Sequence, residues 1–520
     1  MPASIPTSVP TTIPQGFKKA VVLHGNRVAM RKKEYGLWHD ISWNTYEEQV
    51  RHVGSALISL GFEKGDCAAI IGDNCPEWLF TAMGIQCVGG VAVGVYATNS
   101  WPQVEYVVGN SESVFFFVEN EEQLDKWLMF RDKAPHLKKI IVWDTKGLRQ
   151  FEDLQVMTFD ELLERGCKAY AETPNLFKIR RQEVSSEDIA ALIYTSGTTG
   201  PPKGTMLSHG NLIWMGDAIT SNNPMYDTDD MMSFLPLCHI FEQLFSIYGH
   251  ITVGYTVNFI ESPDTITDNM IEISPTVGHA VPRIWEKYYS AVLIRMANAT
   301  WFKRMVFGLA LKIGTVGPAL KGAEIKIAND GEILMKSPGI FMGYFKNPAV
   351  TAETVKSGWL YSGDVGEIDA DGYLKITDRK KDIIVTAGGK NIAPQFIENK
   401  LKSSIYINDA VIIGDRRKFI SCLIMIDEDT VVKYAQDHKV QFSTYRDLTL
   451  HGEINTLIWE EVKKVNETLS RVEQVKKFTI LPKKLYEEDG EVTPTMKVKR
   501  KFVNEAFSDL IEAMYGNRQT

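Results

Sequence analysis

The sequence predicts an α/β fold with a large multi-layer N-terminal domain and a smaller α+β C-terminal domain. Short apolar strand-like runs alternate with amphipathic helical patterns, and this order is typical of α/β domains. Near residue 378 the pattern changes to β-rich runs joined by charged residues. The 520 residues also exceed the usual size of one hydrophobic core, so at least two domains are expected.

The N-terminal half contains the clearest elements. The stretch YEEQVRHVGSALISLGF predicts a helix, DCAAIIGDN a strand, and CPEWLFTAMGIQCVGGVAVGVY a helix followed by a strand. Further on, DIAALIYTSGTTGPPKGTMLSHGNLIWMG predicts a buried strand, a loop, a second short strand and a helix. We expect this last helix to be capped near Ser208.

A charged connection marks the predicted domain boundary. In GYLKITDRKKDIIVTAGG two β-rich runs are joined by five consecutive charged residues, Asp378 to Asp382. A run that polar fits a solvated connection between domains. We therefore predict an N-terminal domain over residues 1–377 and a C-terminal domain over residues 378–520.

Composition and charge narrow the function classes. A formal net charge of −8 provides no long-range attraction for nucleic acid, so no nucleic-acid partner is predicted. The six cysteines are scattered without a CxxC pair, which argues against a zinc site or a disulfide framework. No apolar run reaches the roughly 18 residues of a membrane span, and the N-terminus has no leader pattern. A cytoplasmic protein is expected, with peripheral membrane contact and a homodimer left open.

The loop YTSGTTGPPKG, from Tyr194 to Gly204, is the strongest functional signal. Its glycines allow backbone N–H groups to converge on one point, and its hydroxyl side chains add donors, so the loop suits a polyanion. An ordinary P-loop, GxxxxGK[ST], would need glycine at position 202, where Pro202 stands. A simple nucleotide hydrolase or kinase is therefore disfavoured. A flexible surface turn is the alternative interpretation.

The same loop resembles the phosphate-loop signature of the adenylate-forming enzymes, which include acyl-CoA synthetases, luciferases and peptide-synthetase adenylation domains. Three later stretches resemble further motifs of that family and follow one another in the family's order. They are GEILMKSPGIFMGYFKNP, GWLYSGDVGEIDADGYLKITDRKKDIIVTAGGKNIAP and VTPTMKVKRK. The resemblance covers most of the chain. It implies that ATP activates a carboxylate as an acyl-adenylate and that the thiol of CoA then displaces AMP, with Mg²⁺ as cofactor and a mobile C-terminal domain.

The resemblance implies roles for individual residues. Lys203 and the loop would bind the β- and γ-phosphates, with Mg²⁺ as counter-ion beside Thr195. Asp364 would accept hydrogen bonds from the ribose hydroxyls, and Arg379 would approach the same sugar. The loop residues with this ATP-binding role are Thr195, Ser196, Gly197, Thr198, Thr199 and Gly200.

Further roles fall on the hinge and the C-terminal domain. Lys497 would be the lysine of the adenylation step, catalytic together with Thr198 and Lys203; a basic solvated tail is the alternative for the VKRK run. Lys381 would be the hinge between two arrangements of the active site. Gly388 and Gly389 would leave room for the pantetheine arm of CoA.

Two segments resemble the acyl-binding parts of long-chain acyl-CoA synthetases, SFLPLCHIFEQ and PTVGHAVPRIWEKYY. Peptide-synthetase adenylation domains place an aspartate near the first segment to pair with an amino group, whereas this chain has His239 and Phe241 there. An unpaired buried charge is costly, so an apolar tunnel fits a fatty acid. We predict a long-chain fatty acid as substrate, with His239 and Trp285 on the acyl chain; a core position is the alternative for Trp285.

One family motif has no match. Between FGLALKIG and TVGPALKG the family carries a long region that ends in Tyr-Gly-x-Thr-Glu, which stacks on adenine and supplies a magnesium-binding glutamate. The nearest match, YGHIT at Tyr248 to Thr252, lies upstream in an apolar run. Two alternatives to long-chain ligation therefore stay open: an aryl- or medium-chain acyl-CoA ligase, and a catalytically weak binder of acyl and nucleotide ligands.

Overall fold

The computed structural model describes residues 9–195, 201–280, 319–486, 489–493 and 498–516. These residues form two compact units. The first unit contains residues 9–195, 201–279, 320–324 and 336–360, and the second contains residues 280, 319, 325–335 and the described part of 361–516. The domain boundary at residue 378 stays a prediction.

Helices occur in both units. Among the described residues the α-helices are α1 (Ile13–His24), α2 (Trp43–Ser59), α3 (Pro76–Cys87), α4 (Trp101–Ser111), α5 (Glu121–Leu128), α6 (Phe159–Glu172), α7 (Pro174–Gln182), α8 (His209–Asn222), α9 (Ile240–Gln243), α10 (His250–Val253), α11 (Ile266–Ile273), α12 (Pro348–Thr354), α13 (Pro394–Lys402), α14 (Glu428–Asp437), α15 (Tyr445–Leu450), α16 (Gly452–Asn466), α17 (Arg500–Ala506) and α18 (Ser508–Tyr515). A π-helical turn, Leu244–Gly249, joins α9 to α10.

The strands alternate with these helices through much of the first unit. They are β1 (Val28–Glu34), β2 (Leu37–Ser42), β3 (Cys67–Ile71), β4 (Val91–Val95), β5 (Phe115–Val118), β6 (Lys139–Val142), β7 (Val156–Thr158), β8 (Ile189–Thr195), β9 (Lys203–Ser208), β10 (Asp230–Ser233), β11 (Thr256–Phe259), β12 (Glu324–Ile327), β13 (Glu332–Lys336), β14 (Gly343–Tyr344), β15 (Val355–Lys356), β16 (Trp359–Ile368), β17 (Leu374–Arg379), β18 (Ile384–Val385), β19 (Asn391–Ile392), β20 (Ile407–Ile413), β21 (Ile420–Ile426) and β22 (Val475–Ile480).

The first unit is built on an eight-stranded sheet of order β14-β9-β8-β4-β3-β5-β6-β7. The strands from β8 to β7 in this order are parallel, whereas β9 is antiparallel to both β8 and β14. A second sheet, of order β10-β11-β1-β2, belongs to the same unit. The predicted α/β class is confirmed.

Burial on both faces explains the apolar runs of this sheet. Successive residues of β5 point to opposite faces, so Phe115 and Phe117 pack in one apolar core while Phe116 and Val118 pack in the other. Parallel strands covered on both faces read as continuous apolar segments for this reason. The predicted helix and strand order in this part of the chain is likewise confirmed.

The second unit has sheets of its own and separate apolar clusters. Most residues of the sheet β12-β13-β16-β15, on which β17 pairs with β16, belong to this unit. Strands β20, β21 and β22 form a three-stranded sheet whose two faces pack in different clusters, with Ile424 on one face and Leu423 on the other. The expected α+β character of the C-terminal part is observed.

The charged run DRKKD differs from the solvated connection expected for it. Asp378 and Arg379 are the last residues of β17, and Asp378 is buried. The carboxylate of Asp378 accepts backbone N–H groups from Arg379 at 2.6 Å and from Gln395 at 3.1 Å. These hydrogen bonds allow its burial, and only the residues after Arg379 form an exposed turn.

Candidate active site

The phosphate loop joins the two strands of a β-hairpin. Strands β8 and β9 are antiparallel, with Tyr194 opposite Gly204 and Thr195 opposite Lys203. In β8 the residues from Ala190 to Tyr194 are buried, and Thr195 is exposed. The hairpin therefore brings the first predicted ATP-binding residue and the predicted phosphate lysine to the two ends of one loop. Residues Ser196, Gly197, Thr198, Thr199 and Gly200 lie outside the described residues.

The loop end of the hairpin is held by α4. The Tyr194 hydroxyl donates a hydrogen bond of 2.7 Å to the side-chain oxygen of Asn110 in α4. A Cβ atom at Gly204 would lie 3.1 Å from the Tyr194 ring, so a side chain at position 204 would crowd this contact. Burial raises the pKa of the Tyr194 phenol above its ordinary value, which keeps it a neutral donor.

A short segment that follows β13 in the sequence supports the second strand of the hairpin, β9. We call residues 343–346 the brace. Strand β14 of the brace pairs with β9, and the Phe345 N–H donates a hydrogen bond of 2.8 Å to the Gly204 carbonyl. The Lys203 Nζ lies 5.4 Å from the centroid of the Tyr344 ring, within the range of a cation–π contact. The brace thus supports the predicted phosphate lysine directly.

The brace is itself anchored at both ends. The Tyr344 N–H donates to the Thr351 hydroxyl at 2.8 Å. The Lys346 Nζ donates to the Asn110 carbonyl at 3.0 Å and forms an ion pair of 2.9 Å with Glu112. Asn110 therefore accepts hydrogen bonds from both the hairpin and the brace. The sequence motifs did not identify Asn110, because its partners are distant along the chain.

The two predicted ribose residues are cross-strand partners in the second unit. Asp364 of β16 pairs with Arg379 of β17, and the Arg379 Nε lies 3.3 Å from the Asp364 Oδ1. Both side chains are partly exposed, Arg379 by 49% and Asp364 by 29%. An ionised carboxylate has enough acceptor sites for an arginine and a vicinal diol. The pairing therefore suits the predicted ribose contact.

The predicted hinge residue lies in an exposed turn with fixed neighbours. Lys380 forms ion pairs of 2.6 Å with Asp330 and 2.9 Å with Glu332. The Asp382 N–H donates to the Arg379 carbonyl at 2.9 Å. Lys381 is exposed, and among the described residues its side chain has no hydrogen bond or ion pair.

The two predicted CoA-passage glycines form the turn of a short hairpin between β18 and β19. The Gly389 N–H donates to the Thr386 carbonyl at 2.8 Å, and Gly389 has a φ of +72°. No described atom lies within 4 Å of a Cβ built at Gly389, and the nearest atom to one at Gly388 is the Thr386 hydroxyl at 3.9 Å. The turn therefore presents bare backbone to its surroundings.

The acyl-side residue His239 caps a short helix. It precedes α9, and its Nδ1 accepts the Phe241 N–H at 3.1 Å. Glu242 of α9 is buried and lies 2.7 Å from the Nε2 of His279. Both residues stand within the two quoted acyl segments, yet the sequence motifs did not identify this pair. A charged residue in the apolar run IFEQLFSIYG was the available signal, because buried charges are usually paired. Trp285 lies outside the described residues.

The near match YGHIT belongs to the core. Tyr248 is fully buried, and its hydroxyl donates to Gln243 at 3.2 Å and lies 3.3 Å from the Gln86 amide nitrogen. Its ring therefore offers no face to adenine, which agrees with the sequence-based rejection of this segment.

The basic run near Lys497 is anchored at one end. Lys497 lies outside the described residues. Val498 forms a β-bridge with Val492, and the Arg500 guanidinium lies 2.8 Å from a carboxylate oxygen of the buried Glu398. Arg500 also donates to the Ile412 carbonyl at 2.9 Å. Arg500 is therefore packed, whereas Lys501, the last residue of the run, is 78% exposed. The role of Lys497 and the alternative of a solvated tail stay predictions.

Two consecutive parts of the chain match known families. Residues 17–308 match the AMP-binding enzyme family, and residues 381–519 match the AMP-binding enzyme C-terminal domain. Long-chain-fatty-acid–CoA ligase FadD15 of Mycobacterium tuberculosis is 31% identical, over 92% of this chain and 93% of its own. Long-chain-fatty-acid–CoA ligase ACSBG2 of Xenopus laevis is 30% identical, over 97% of this chain and 84% of its own.

The FadD15 alignment also bears on the unmatched adenine motif. It extends over 572 positions, more than the 520 residues of this chain, so FadD15 carries residues with no counterpart here. The AMP-binding match ends at residue 308, close to the point where FGLALKIG passes directly to TVGPALKG. Both findings agree with a segment of the relatives that is missing from this chain.

Solved structures show the same fold. The A domain of carboxylic acid reductase from Segniliparus rugosus, in complex with AMP and a co-purified carboxylic acid, has a TM-score of 0.76 at 18% identity, over 98% of this chain and 95% of that chain. In the described parts of the chain, no helix is both long and apolar enough to cross a bilayer. The fold shared with the carboxylic acid reductase domain and the family matches over both units confirm the resemblance. The chain belongs to the AMP-binding enzyme family of adenylate-forming enzymes.

Proposed function

We propose that this protein ligates CoA to a long-chain fatty acid at the expense of ATP, through an acyl-adenylate. The observation that carries the proposal is the braced hairpin, which places Lys203 opposite Thr195 at the two ends of the phosphate loop. The relatives named as long-chain-fatty-acid–CoA ligases support the choice of acid.

In the first step a carboxylate oxygen attacks the α-phosphorus of ATP, and pyrophosphate leaves. Negative charge grows on the phosphates during this step, so oriented donors and cations lower the barrier. Lys203 supplies a cation whose position is restricted by the Tyr344 ring. The loop supplies backbone and hydroxyl donors, and Lys497 is assigned to the carboxylate and α-phosphate.

Mg²⁺ is assigned to the same phosphates as a charge-neutralising ion. The exposed Thr195 hydroxyl is an oxygen ligand of the kind that Mg²⁺ accepts beside substrate phosphates. Among the described residues, no three His, Cys, Asp or Glu side chains are grouped to hold a metal.

In the second step the CoA thiol attacks the acyl carbonyl, and AMP leaves. The two steps need different partners at one acyl group, so we assign a pivot to Lys381 and the pantetheine passage to Gly388 and Gly389. Among the described residues the Lys381 side chain has no hydrogen bond or ion pair, and this supports the assignment. The open surroundings of the two glycines support the passage.

A catalytically weak binder of acyl and nucleotide ligands is the second candidate function. It is favoured by the missing Tyr-Gly-x-Thr-Glu segment and by the residues of FadD15 that have no counterpart here. Such a chain would bind acyl-adenylate without completing either half-reaction. An aryl- or medium-chain acid is a third possibility for the enzyme.

One assay separates these functions. Purified protein is supplied with ATP, Mg²⁺, CoA and either palmitate, octanoate or benzoate, and AMP and thioester are quantified. We expect both products with palmitate at the highest kcat/KM. If kcat/KM is higher with octanoate or benzoate than with palmitate, the substrate is a medium-chain or an aryl acid and not a long-chain fatty acid. Binding of a stable acyl-adenylate analogue without any AMP or thioester would establish the binder.

A further inference from the structure

We propose that Glu242 and His279 form a buried latch that positions the acyl-binding segments against each other and so sets the affinity for the acid. This inference rests on the proposed function, because it assigns the acid to the His239 side of the first unit. The contact joins α9, which His239 caps, to the segment that leads toward Trp285. The pair would act as positioning residues and not as reacting groups.

The Glu242 carboxylate is fully enclosed and fully hydrogen-bonded. Its side chain is 0% exposed. One oxygen accepts the hydroxyls of Ser233 at 2.7 Å and Ser246 at 2.6 Å. The other oxygen accepts the Leu235 N–H at 3.3 Å and lies 2.7 Å from the His279 Nε2. This contact pairs a carboxylate oxygen with a ring nitrogen, and a proton carried on Nε2 would be donated in it.

Aromatic rings fix the orientation of the imidazole. His279 is stacked on Phe245, with ring centroids 4.3 Å apart and planes 14° apart. Phe241 and Phe234 lie at 5.7 Å and 6.0 Å from the same ring. Three phenylalanine rings therefore surround a side chain that is only 2% exposed. The imidazole cannot turn away from Glu242 without disturbing this packing.

The Glu242 side of the latch is connected, through Asn74, to the segment from Ser233 to Leu237 that precedes His239. Asn74 donates to the Ser233 hydroxyl at 2.9 Å and to the Leu235 carbonyl at 2.6 Å, and accepts the Leu237 N–H at 3.1 Å. The Glu242 N–H donates to the His239 carbonyl at 3.1 Å. Glu242 thus fixes both the backbone before His239 and the short helix after it.

A buried polar network favours the arrangement in which its hydrogen bonds are made. In this one the Glu242 contacts are made, whereas the His279 Nδ1 has no hydrogen-bond partner among the described residues. Loss of His279 leaves the Glu242 oxygen short of a partner and removes the contact between α9 and residue 279. A small misplacement of a positioning group can lower substrate use strongly. We therefore expect the acid, and not ATP, to lose affinity when the latch is broken.

The test compares four single variants with the wild-type chain. His279→Ala removes the latch, and Glu242→Gln replaces one acceptor oxygen by a donor. His279→Gln keeps an N–H donor of similar reach. His250→Ala is the matched control, because His250 is also fully buried, is stacked on Trp43 at 4.3 Å and lies 2.7 Å from a backbone carbonyl, that of Tyr255. Each variant is measured for thermal melting, KM for palmitate, KM for ATP and the palmitate-to-octanoate ratio of kcat/KM.

We expect His279→Ala and Glu242→Gln to raise the KM for palmitate about tenfold, to reduce the palmitate-to-octanoate ratio and to change the KM for ATP less than twofold, as for loss of ground-state binding. His279→Gln should recover most of the palmitate affinity. His250→Ala should lower the melting temperature without changing the acid profile.

Two results would overturn the latch. One is an unchanged KM for palmitate in His279→Ala and Glu242→Gln with melting lowered as in His250→Ala, which would leave the pair a purely structural role. The other is an equal rise in the KM for ATP. If the wild-type chain activates another acid better, the long-chain proposal fails and the same comparison is decided on that acid. A wild-type chain that binds no acid by calorimetry would overturn both proposals.

Discussion

The hairpin that carries the phosphate loop and the turn that carries Lys381 are built in opposite ways. The hairpin is held by Asn110 on one strand and by the brace on the other, with Lys203 against the Tyr344 ring. At the turn, Lys380 is held by two acidic side chains, whereas Lys381 has no side-chain partner among the described residues. One region is fixed around its functional lysine. In the other, the described residues hold the backbone of the turn but make no hydrogen bond or ion pair with the lysine side chain.

This difference matches the two tasks of an adenylate-forming enzyme. Donors that are already oriented toward the phosphates need no reorganisation as charge develops there. A change of domain arrangement, in contrast, needs a residue whose φ and ψ can change without breaking contacts. The comparison therefore assigns rigidity to ATP binding and conformational freedom to the exchange of partners between the two steps.

The largest expected effect comes from fixing the pivot. Proline restricts φ to about −65°, so Lys381→Pro should trap one arrangement. We expect acyl-adenylate formation to persist and thioester formation from it to fall about 100-fold, as for an arrangement populated at about 1%. Lys497→Ala should do the reverse when preformed acyl-adenylate is supplied. Pyrophosphate exchange and single-turnover thioester formation measure the two steps separately.

The control for the pivot is Lys381→Ala, which leaves φ unrestricted and should retain both half-reactions. Equal loss of both half-reactions in Lys381→Pro and Lys497→Ala, with unchanged melting, would rule out a rotating domain. In that case the contrast between the hairpin and the turn would have no functional meaning.

A smaller but still large effect is expected at the fixed end. Lys203→Ala removes a charged donor to the phosphates, a loss of about 1.5–3 kcal/mol, or about 10- to 100-fold in acid-dependent pyrophosphate exchange. Melting should hardly change, because the Lys203 side chain is not part of an apolar core. Lys146→Ala, at a lysine 80% exposed beside Asp144, is the control. A wild-type rate of pyrophosphate exchange in Lys203→Ala would contradict the assignment of the hairpin to the phosphates of ATP.

Local patterns in the sequence predicted the hairpin well. Apolar runs on both sides of YTSGTTGPPKG predicted β8 and β9, and Ser208 caps α8 by accepting the Asn211 N–H at 3.1 Å, as expected. These features depend on neighbours within a few residues. Sequence periodicity and capping rules depend on such near neighbours, so they predict these features from the sequence alone.

Contacts between distant segments were not predictable in the same way. Tyr344 lies beside Lys203 because β14 pairs with β9, and Glu242 meets His279 across 37 positions of chain. A single sequence does not state which strands pair. The burial of Asp378 was missed for a related reason, since its partner Gln395 lies 17 positions away. Charge alone indicated solvent there, whereas backbone donors from another element allow burial.

The brace offers a moderate effect that tests the rigid side of the comparison. Tyr344→Leu removes the ring beside Lys203, and a cation–π contact at a partly exposed site contributes about 0.5–1 kcal/mol. We expect the KM for ATP to rise about two- to fivefold. Tyr344→Phe should keep the wild-type value because the ring remains.

The matched control for the brace is Phe396→Leu in α13, where Lys400 lies 5.0 Å from the ring centroid of an aromatic side chain 42% exposed. It should not alter the KM for ATP. If Tyr344→Phe impairs ATP use as much as Tyr344→Leu, the hydroxyl and not the ring is responsible. The brace would then not act through Lys203.

The smallest effects on the reaction rates are expected at the two glycines, where stability and passage can be separated. Gly389 has a φ of +72°, a region that costs a residue with a Cβ about 1–2 kcal/mol, so Gly389→Ala should lower the free energy of unfolding by about that amount. Gly388 has no such φ, and the nearest described atom to a Cβ there is 3.9 Å away. Gly388→Ala should therefore change stability by less than about 0.5 kcal/mol.

If pantetheine passes over this turn, the added methyl group at position 388 should still slow thioester formation while leaving pyrophosphate exchange unchanged. A Gly388→Ala variant with wild-type rates in both half-reactions would place the CoA passage elsewhere, and the turn would need glycine only for the backbone conformation at Gly389.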